Sequence, residues 1–169
     1  MAVIVLSVPH TGTRTLCHFL DRVGVIYRQY HSEPNNLEDL RYEIKNRAIA
    51  PIRDPLLCFA STLARNGLTS FETVLSGVVL SFELLIGLEQ DFNIEYIDTD
   101  EKGFDKYQTL HKSLAAQYPI PNDLETVVGN IKAAPTSYET WGLLAKALGE
   151  DKAAFAIDTL KEVRAHYGY

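Results

Sequence analysis

The sequence predicts an α/β protein, a parallel sheet covered by helices on both faces, in a single domain spanning residues 1–169. Two observations carry that prediction. Short strand-like runs at 3–6 (VIVL), 25–30 (VIYRQY), 48–52 (AIAPI) and 94–98 (IEYID) alternate with longer segments of helical periodicity, and strands that alternate with helices imply parallel pairing. The helical segments also carry their own boundaries. Asp54-Pro55 marks one start, and Gly24, Gly67 and Gly149 mark three ends.

The run at 3–6 is mostly β-branched and reads as a buried strand. Residues 7–12 (SVPHTG) are turn formers, and from Thr13 a helix places Leu16, Phe19, Leu20 and Val23 on one stripe. The second strand ends at His31-Ser32-Glu33-Pro34, and 37–46 reads as a weak, exposed helix. In the third strand Pro51 lacks a ladder donor, which predicts an edge position or a local irregularity. Asp54 suits the N-cap and Pro55 the first position of a helix running to about Asn66. A long helix from about Ser70 to Leu88 follows. Its most hydrophobic part, 73–88, holds Glu83 and is short for a bilayer, so it reads as a core helix and no membrane partner is expected. The fourth strand ends in the acidic residues Asp98, Asp100 and Glu101, and the next helix has Phe104, Tyr107, Leu110, His111 and Leu114 on one side. Beyond Pro119 and Pro121 the sequence predicts a short helix at 124–131. A second starts at Ser137 behind the capping-box pair Thr136 and Glu139, and a last one is capped by Asp151 and carries Ile157, Leu160 and Val163. Together they make a helical C-terminal cover over about 120–169.

The net charge of −6 argues against nucleic acid as the main partner. Its layout is uneven. Residues 1–65 carry eight basic against six acidic side chains, and residues 66–169 carry eight against sixteen. Cys17 and Cys58 are far apart, in no metal spacing and on apolar helix faces, and read as buried reduced thiols of a cytoplasmic protein. No basic region precedes the first apolar run, so it reads as a strand rather than a signal peptide. Trp141 and the nine tyrosines read as packing residues.

Strand, tight loop and helix in that order over 3–20 make an anion site. The first N–H groups of a helix lack acceptors, and the helix dipole favours negative charge there. The hydroxyls of Thr11, Thr13 and Thr15 and the Arg14 guanidinium add phosphate donors at the same place. The loop is not a Walker A loop: with Gly12 as the second glycine, Ser7 takes the place of the first and Thr13 that of the lysine. In parallel α/β sheets ligands bind at the carboxyl ends of the strands. Three polar clusters fall there: Pro9 to Thr15, His31 to Glu33, and Arg53 to Ser61.

The stretch Val8-Pro9-His10-Thr11-Gly12-Thr13-Arg14-Thr15-Leu16 resembles the 5′-phosphosulfate-binding loop of sulfotransferases, with a Gly-Thr-Arg similar to that of the glycan-modifying members. Ile52-Arg53-Asp54-Pro55, with Ser61 eight residues after Arg53, resembles the family's 3′-phosphate signature. The resemblance implies a P-loop NTPase-like fold of the sulfotransferase type and transfer of a sulfuryl group from 3′-phosphoadenosine 5′-phosphosulfate to a hydroxyl or amine on a small-molecule or glycan acceptor. It assigns the 5′-phosphosulfate to Pro9, Thr11, Gly12, Thr13, Arg14 and Thr15, and the 3′-phosphate to Arg53 and Ser61. His10 stands where the family usually has a lysine and would stabilise the charge developing on the transferred group. His31 is the first candidate for general base and Glu33 the second. No metal is required. The resemblance ends by about Pro119, and the last fifty residues are left for an acceptor pocket or a homodimer face.

Two other functions compete. One is a divergent kinase with Asp98 or Asp100 on Mg²⁺, against which stands the missing Walker lysine. The other is a binding module that kept the nucleotide pocket and lost catalysis. Several of these residues also have purely structural readings. Arg14 could pair with Asp21 or Asp54, Arg53 with Asp54, and Ser61 could bond back to its own helix.

Overall fold

A computed structural model describes residues 3–31, 40, 47–99, 104–119 and 138–169. Four strands, β1 (Val3–Ser7), β2 (Tyr27–His31), β3 (Ala48–Ile52) and β4 (Ile94–Asp98), form one sheet in the order β2-β1-β3-β4, and every pairing is parallel. Helices α1 (Thr13–Val23), α2 (Pro55–Asn66), α3 (Phe71–Leu88), α4 (Phe104–Ala115), α5 (Tyr138–Leu148), α6 (Glu150–Thr159) and α7 (Lys161–His166) surround it, and a 3₁₀ turn at Leu68–Ser70 leads into α3.

Strand side chains alternate between faces, so each central strand feeds two cores. Val3, Val5, Ile49 and Ile97 pack against Leu16, Phe19, Leu20 and Val23 of α1 and Tyr107, Leu110 and Leu114 of α4. Ile4, Leu6, Ala48, Ala50 and Ile52 pack on the opposite side, against α2, α3 and the C-terminal helices. Phe59 of α2 meets Trp141 of α5 with ring centroids 6.2 Å apart, which makes Trp141 a packing residue. The two faces follow from connectivity. β1 steps to β2 through α1, while β3 steps to β4 in the other direction, and right-handed crossovers then put their helices on opposite sides.

The strands at 48–52 and 94–98 are as predicted. β2 begins two residues later than predicted, because Gly24 in a left-handed conformation (φ 75°) and the Val25 N–H bonded to Leu20 O hold the chain to the end of α1. Asp54 caps α2 by accepting from the Leu56 N–H at 2.9 Å, with Pro55 in the first turn.

Several expectations are corrected. Of the two readings of Pro51, the edge position fails, since β3 lies between β1 and β4, and the local irregularity holds. β1 and β3 pair only at Ile4↔Ala48 and Val5↔Ile49, whereas β3 stays paired with β4 through Ile52↔Asp98. The missing N–H of Pro51 therefore falls where the ladder to β1 has ended. The last predicted helix is two helices that meet at Leu160. Gly149, not Asp151, sits at its N-cap, and Ile157 is exposed. Cys58 is buried but Cys17 only half so. Leu40, from the stretch expected to be exposed, is helical and fully buried. The rest of that stretch, the predicted helix at 124–131 and Thr136 lie outside the described residues. Leu68–Leu88, the 3₁₀ turn included, is longer than the core segment expected from sequence and is apolar and long enough to cross a membrane by length and composition alone. In this fold Phe71, Val74, Leu75, Val78, Phe82, Leu85 and Leu88 are buried in the core, while Glu72, Thr73, Ser76 and Glu83 face outward.

Candidate functional site

The polar residues gather at the carboxyl ends of the strands, and the loop after β1 is their centre. Two of its residues have positive φ: His10 at 64° and Gly12 at 89°. A non-glycine residue held there signals local strain, which concentrates at functional sites. At position 12 only glycine fits. A Cβ would stand 2.8 Å from the Cβ, Cγ2 and Oγ1 atoms of Thr99.

The loop's own hydrogen bonds narrow the expected donor set. The Thr11 hydroxyl is fully buried and donates to Val8 O at 2.7 Å, and the Thr11 N–H also turns toward Val8 O. Thr11 therefore shapes the loop and does not offer its hydroxyl to a ligand, contrary to expectation. The N–H groups of Thr15 and Leu16 donate to Gly12 O at 2.9 and 3.2 Å. Thr13 and Arg14 open the helix, where no intrahelical acceptor precedes their N–H groups. No side chain caps α1 and no acidic residue lies in its first turn. Pro9 and Arg14 are exposed; Thr13 and Thr15 are half-buried.

The second arm comes from β3 and α2. Arg53 follows β3 and is 7% exposed. Ser61, two turns into α2, places Oγ 3.3 Å from Nδ1 of His10, and the Cys58 thiol lies 3.7 Å from the His10 carbonyl oxygen. The two sequence motifs thus meet at His10. Burial lowers its pKa, and the charges of Arg65 and Arg53 lower it further. The imidazole is neutral at neutral pH. A ring that accepts from Ser61 at Nδ1 carries its proton on Nε2 and presents a donor there. Sequence reasoning passed over Arg65, although it lies one helical turn after Ser61 and shares its face.

Asp54 belongs to neither Arg14 nor Arg53. Its buried carboxylate takes a two-pronged ion pair from Arg164 of α7, Nε to Oδ1 and Nη2 to Oδ2, both at 2.9 Å, and Tyr138 of α5 donates to Oδ2 at 2.9 Å. The C-terminal helices are thereby tied to the turn that follows Arg53.

His31 is exposed at the end of β2, in register with Ser7, and its Nδ1 stands 2.9 Å from the Ser7 hydroxyl. Gln29 Nε2 lies 3.4 Å from both His31 Nε2 and Ser7 Oγ, while Cys17 Sγ donates to Gln29 Oε1. A ring protonated on Nδ1, with Nε2 as acceptor, satisfies this network. Glu33 and Asp100 lie outside the described residues. Asp98 is half-buried, and among the described residues no group of three or more His, Cys, Asp or Glu side chains could hold a metal. Thr99 was not anticipated. It follows β4 and reaches back to the carbonyl oxygens of Ile52 and Thr11.

The fold and this cluster define an α/β protein with its polar residues collected at the strand ends. The chain matches no protein-family model and no curated protein.

Proposed function

We propose that this chain is a small P-loop-type sulfotransferase that moves a sulfuryl group from 3′-phosphoadenosine 5′-phosphosulfate to a hydroxyl or amine acceptor. One observation carries the reading. His10 of the first motif and Ser61 of the second stand 3.3 Å apart, within the fields of Arg53 and Arg65 and beside an uncapped helix N-terminus. A ligand with two anionic groups fits that arrangement, one at each arm.

In this reading the N–H groups of Thr13 and Arg14 and the Arg14 guanidinium hold the 5′-phosphosulfate. Arg53 and Arg65 hold the 3′-phosphate, while Ser61, whose one hydroxyl proton goes to His10 Nδ1, orients that ring instead of gripping the phosphate. The donor supplies a sulfuryl group on an activated bridge to phosphate. The Nε2–H of His10 donates to the oxygen on which charge accumulates. Nε2 of His31 takes the proton from the acceptor once the acceptor displaces the long 3.4 Å contact from Gln29, with Ser7 holding the ring at Nδ1.

The test is a thermal-shift titration with 3′,5′-bisphosphoadenosine against ADP and ATP, with and without Mg²⁺. A ligand that binds only the folded chain stabilises it by about 2.7 kcal/mol at a hundred times Kd. Metal-independent stabilisation by the bisphosphate is the expected result. Preference for ATP with Mg²⁺, or no response to any of the three, would overturn the reading.

A further inference from the structure

We propose that Thr99 is a positioning residue that staples the loop after β1 into its ligand-ready shape. The proposal rests on the reading of that loop as an anion site. The sheet is split where the staple lies. The ladder between β1 and β3 stops at Val5↔Ile49, while β1 continues to Ser7 beside β2 and β3 continues to Ile52 beside β4. The backbone beyond the split has lost the hydrogen bonds that would align the loop after β1 with the end of β3.

Thr99 spans that gap from the far side. Its N–H donates to Ile52 O at 2.9 Å, which anchors it to β3. Its Oγ1 lies 2.6 Å from Thr11 O and 3.1 Å from Ile52 O. A hydroxyl has one proton, and the shorter contact, to Thr11 O at 2.6 Å, takes it. The rest of the side chain presses on Gly12, where it occupies the space a Cβ would need. Thr99 thus fixes the carbonyl before Gly12 and closes the space over Gly12 itself. Those two constraints set the direction in which the N–H groups of Thr13 and Arg14 point.

Thr99→Val keeps the shape and removes the donor, whereas Thr99→Ser keeps the donor. Two readouts are paired. Amide hydrogen exchange across residues 8–16 is expected to accelerate in Thr99→Val, with exchange in the middle of β3 unchanged, and to be restored in Thr99→Ser. The affinity for 3′,5′-bisphosphoadenosine is expected to fall about tenfold in Thr99→Val, the loss of one hydrogen bond's net contribution, and to recover in Thr99→Ser. A merely structural role would move exchange throughout the sheet together with the melting temperature. Bisphosphate affinity unchanged in Thr99→Val, or loop exchange unchanged, overturns the proposal. If the unsubstituted chain binds no adenine nucleotide, the donor assignment fails, and loop exchange alone then decides whether Thr99 is the staple.

Discussion

Replacing Arg164 with methionine is expected to cost the fold about 3 kcal/mol, because it leaves a buried carboxylate without its counter-charge. The Asp54 side chain has no exposure, whereas that of Arg164 is 24% exposed. In the folded chain Asp54 accepts from four donors: the Leu56 N–H, two guanidinium nitrogens and the Tyr138 hydroxyl. Methionine retains the apolar stem and removes only the two charged donors. Breaking a buried pair from one side costs about 3–5 kcal/mol, and the partial exposure of Arg164 together with the two surviving donors places this case at the low end. For a domain of this size about 3 kcal/mol corresponds to a fall in Tm of roughly 6–12 °C. Urea unfolding is the assay, with the midpoint lowered and the slope unchanged. In the double variant Asp54→Ala with Arg164→Met, the second substitution is expected to cost much less than it does alone. A cost for Arg164→Met under about 0.5 kcal/mol, the range of a surface ion pair, would refute the claim that this contact locks the C-terminal helices to the sheet.

Gly12→Ala is expected to destabilise by about 2 kcal/mol or more, from its positive φ and the collision with Thr99, and to abolish the thermal shift with 3′,5′-bisphosphoadenosine; a stable variant that still binds would contradict the geometry of the loop. The third prediction concerns pH. His10 has a lowered pKa in the folded chain, whereas the unfolded chain titrates near 6.5. Between those values the unfolded state holds the extra proton, so the contribution of His10 to stability is full above about pH 6.5 and is lost as pH falls toward its folded pKa. Comparison with His10→Gln by urea unfolding at pH 7.5 and 5.5 isolates that component. The unsubstituted chain is expected to lose more stability on acidification than the variant, and parallel profiles would refute the assignment.

The parts of this molecule that rest on local signals were legible in the sequence. Continuous apolar runs located β1 and β3, the mixed run IEYID located β4, and Asp54-Pro55 located the start of α2, because a cap and a fixed φ act within a few residues. The α1 stripe of Leu16, Phe19, Leu20 and Val23 was legible for the same reason. What depends on long-range partners was not. Arg164 is 110 residues from Asp54, and nothing marks it apart from the other basic residues of the last helices. Tyr138 is one tyrosine among nine. The break at Leu160 carries no glycine or proline, so the helical pattern reads straight through it. For Arg65 a signal did exist, since it repeats the face of Ser61 one turn later. In the loop, sequence alone offered three threonine hydroxyls to the ligand, and only the fold shows that Thr11 has turned inward to Val8.

Pro51 connects these levels. Proline in a central strand ordinarily breaks a ladder, and here the ladder to β1 has already ended two residues earlier. The sheet order places the change of direction between β1 and β3, which is where open α/β sheets form their ligand crevice. At such a point the connections leave β1 and β3 toward opposite faces, α1 on one and α2 on the other, and Pro51, with no N–H to offer, leaves the end of β3 unpaired with β1. The residues bordering the crevice then divide the work. His10 of the loop after β1 and Ser61 of α2 touch at 3.3 Å, the charges of Arg53 and Arg65 act on His10, and Thr99 ties that loop to the end of β3. The irregular end of β3 and the proposed anion site thus lie at the same point of the sheet.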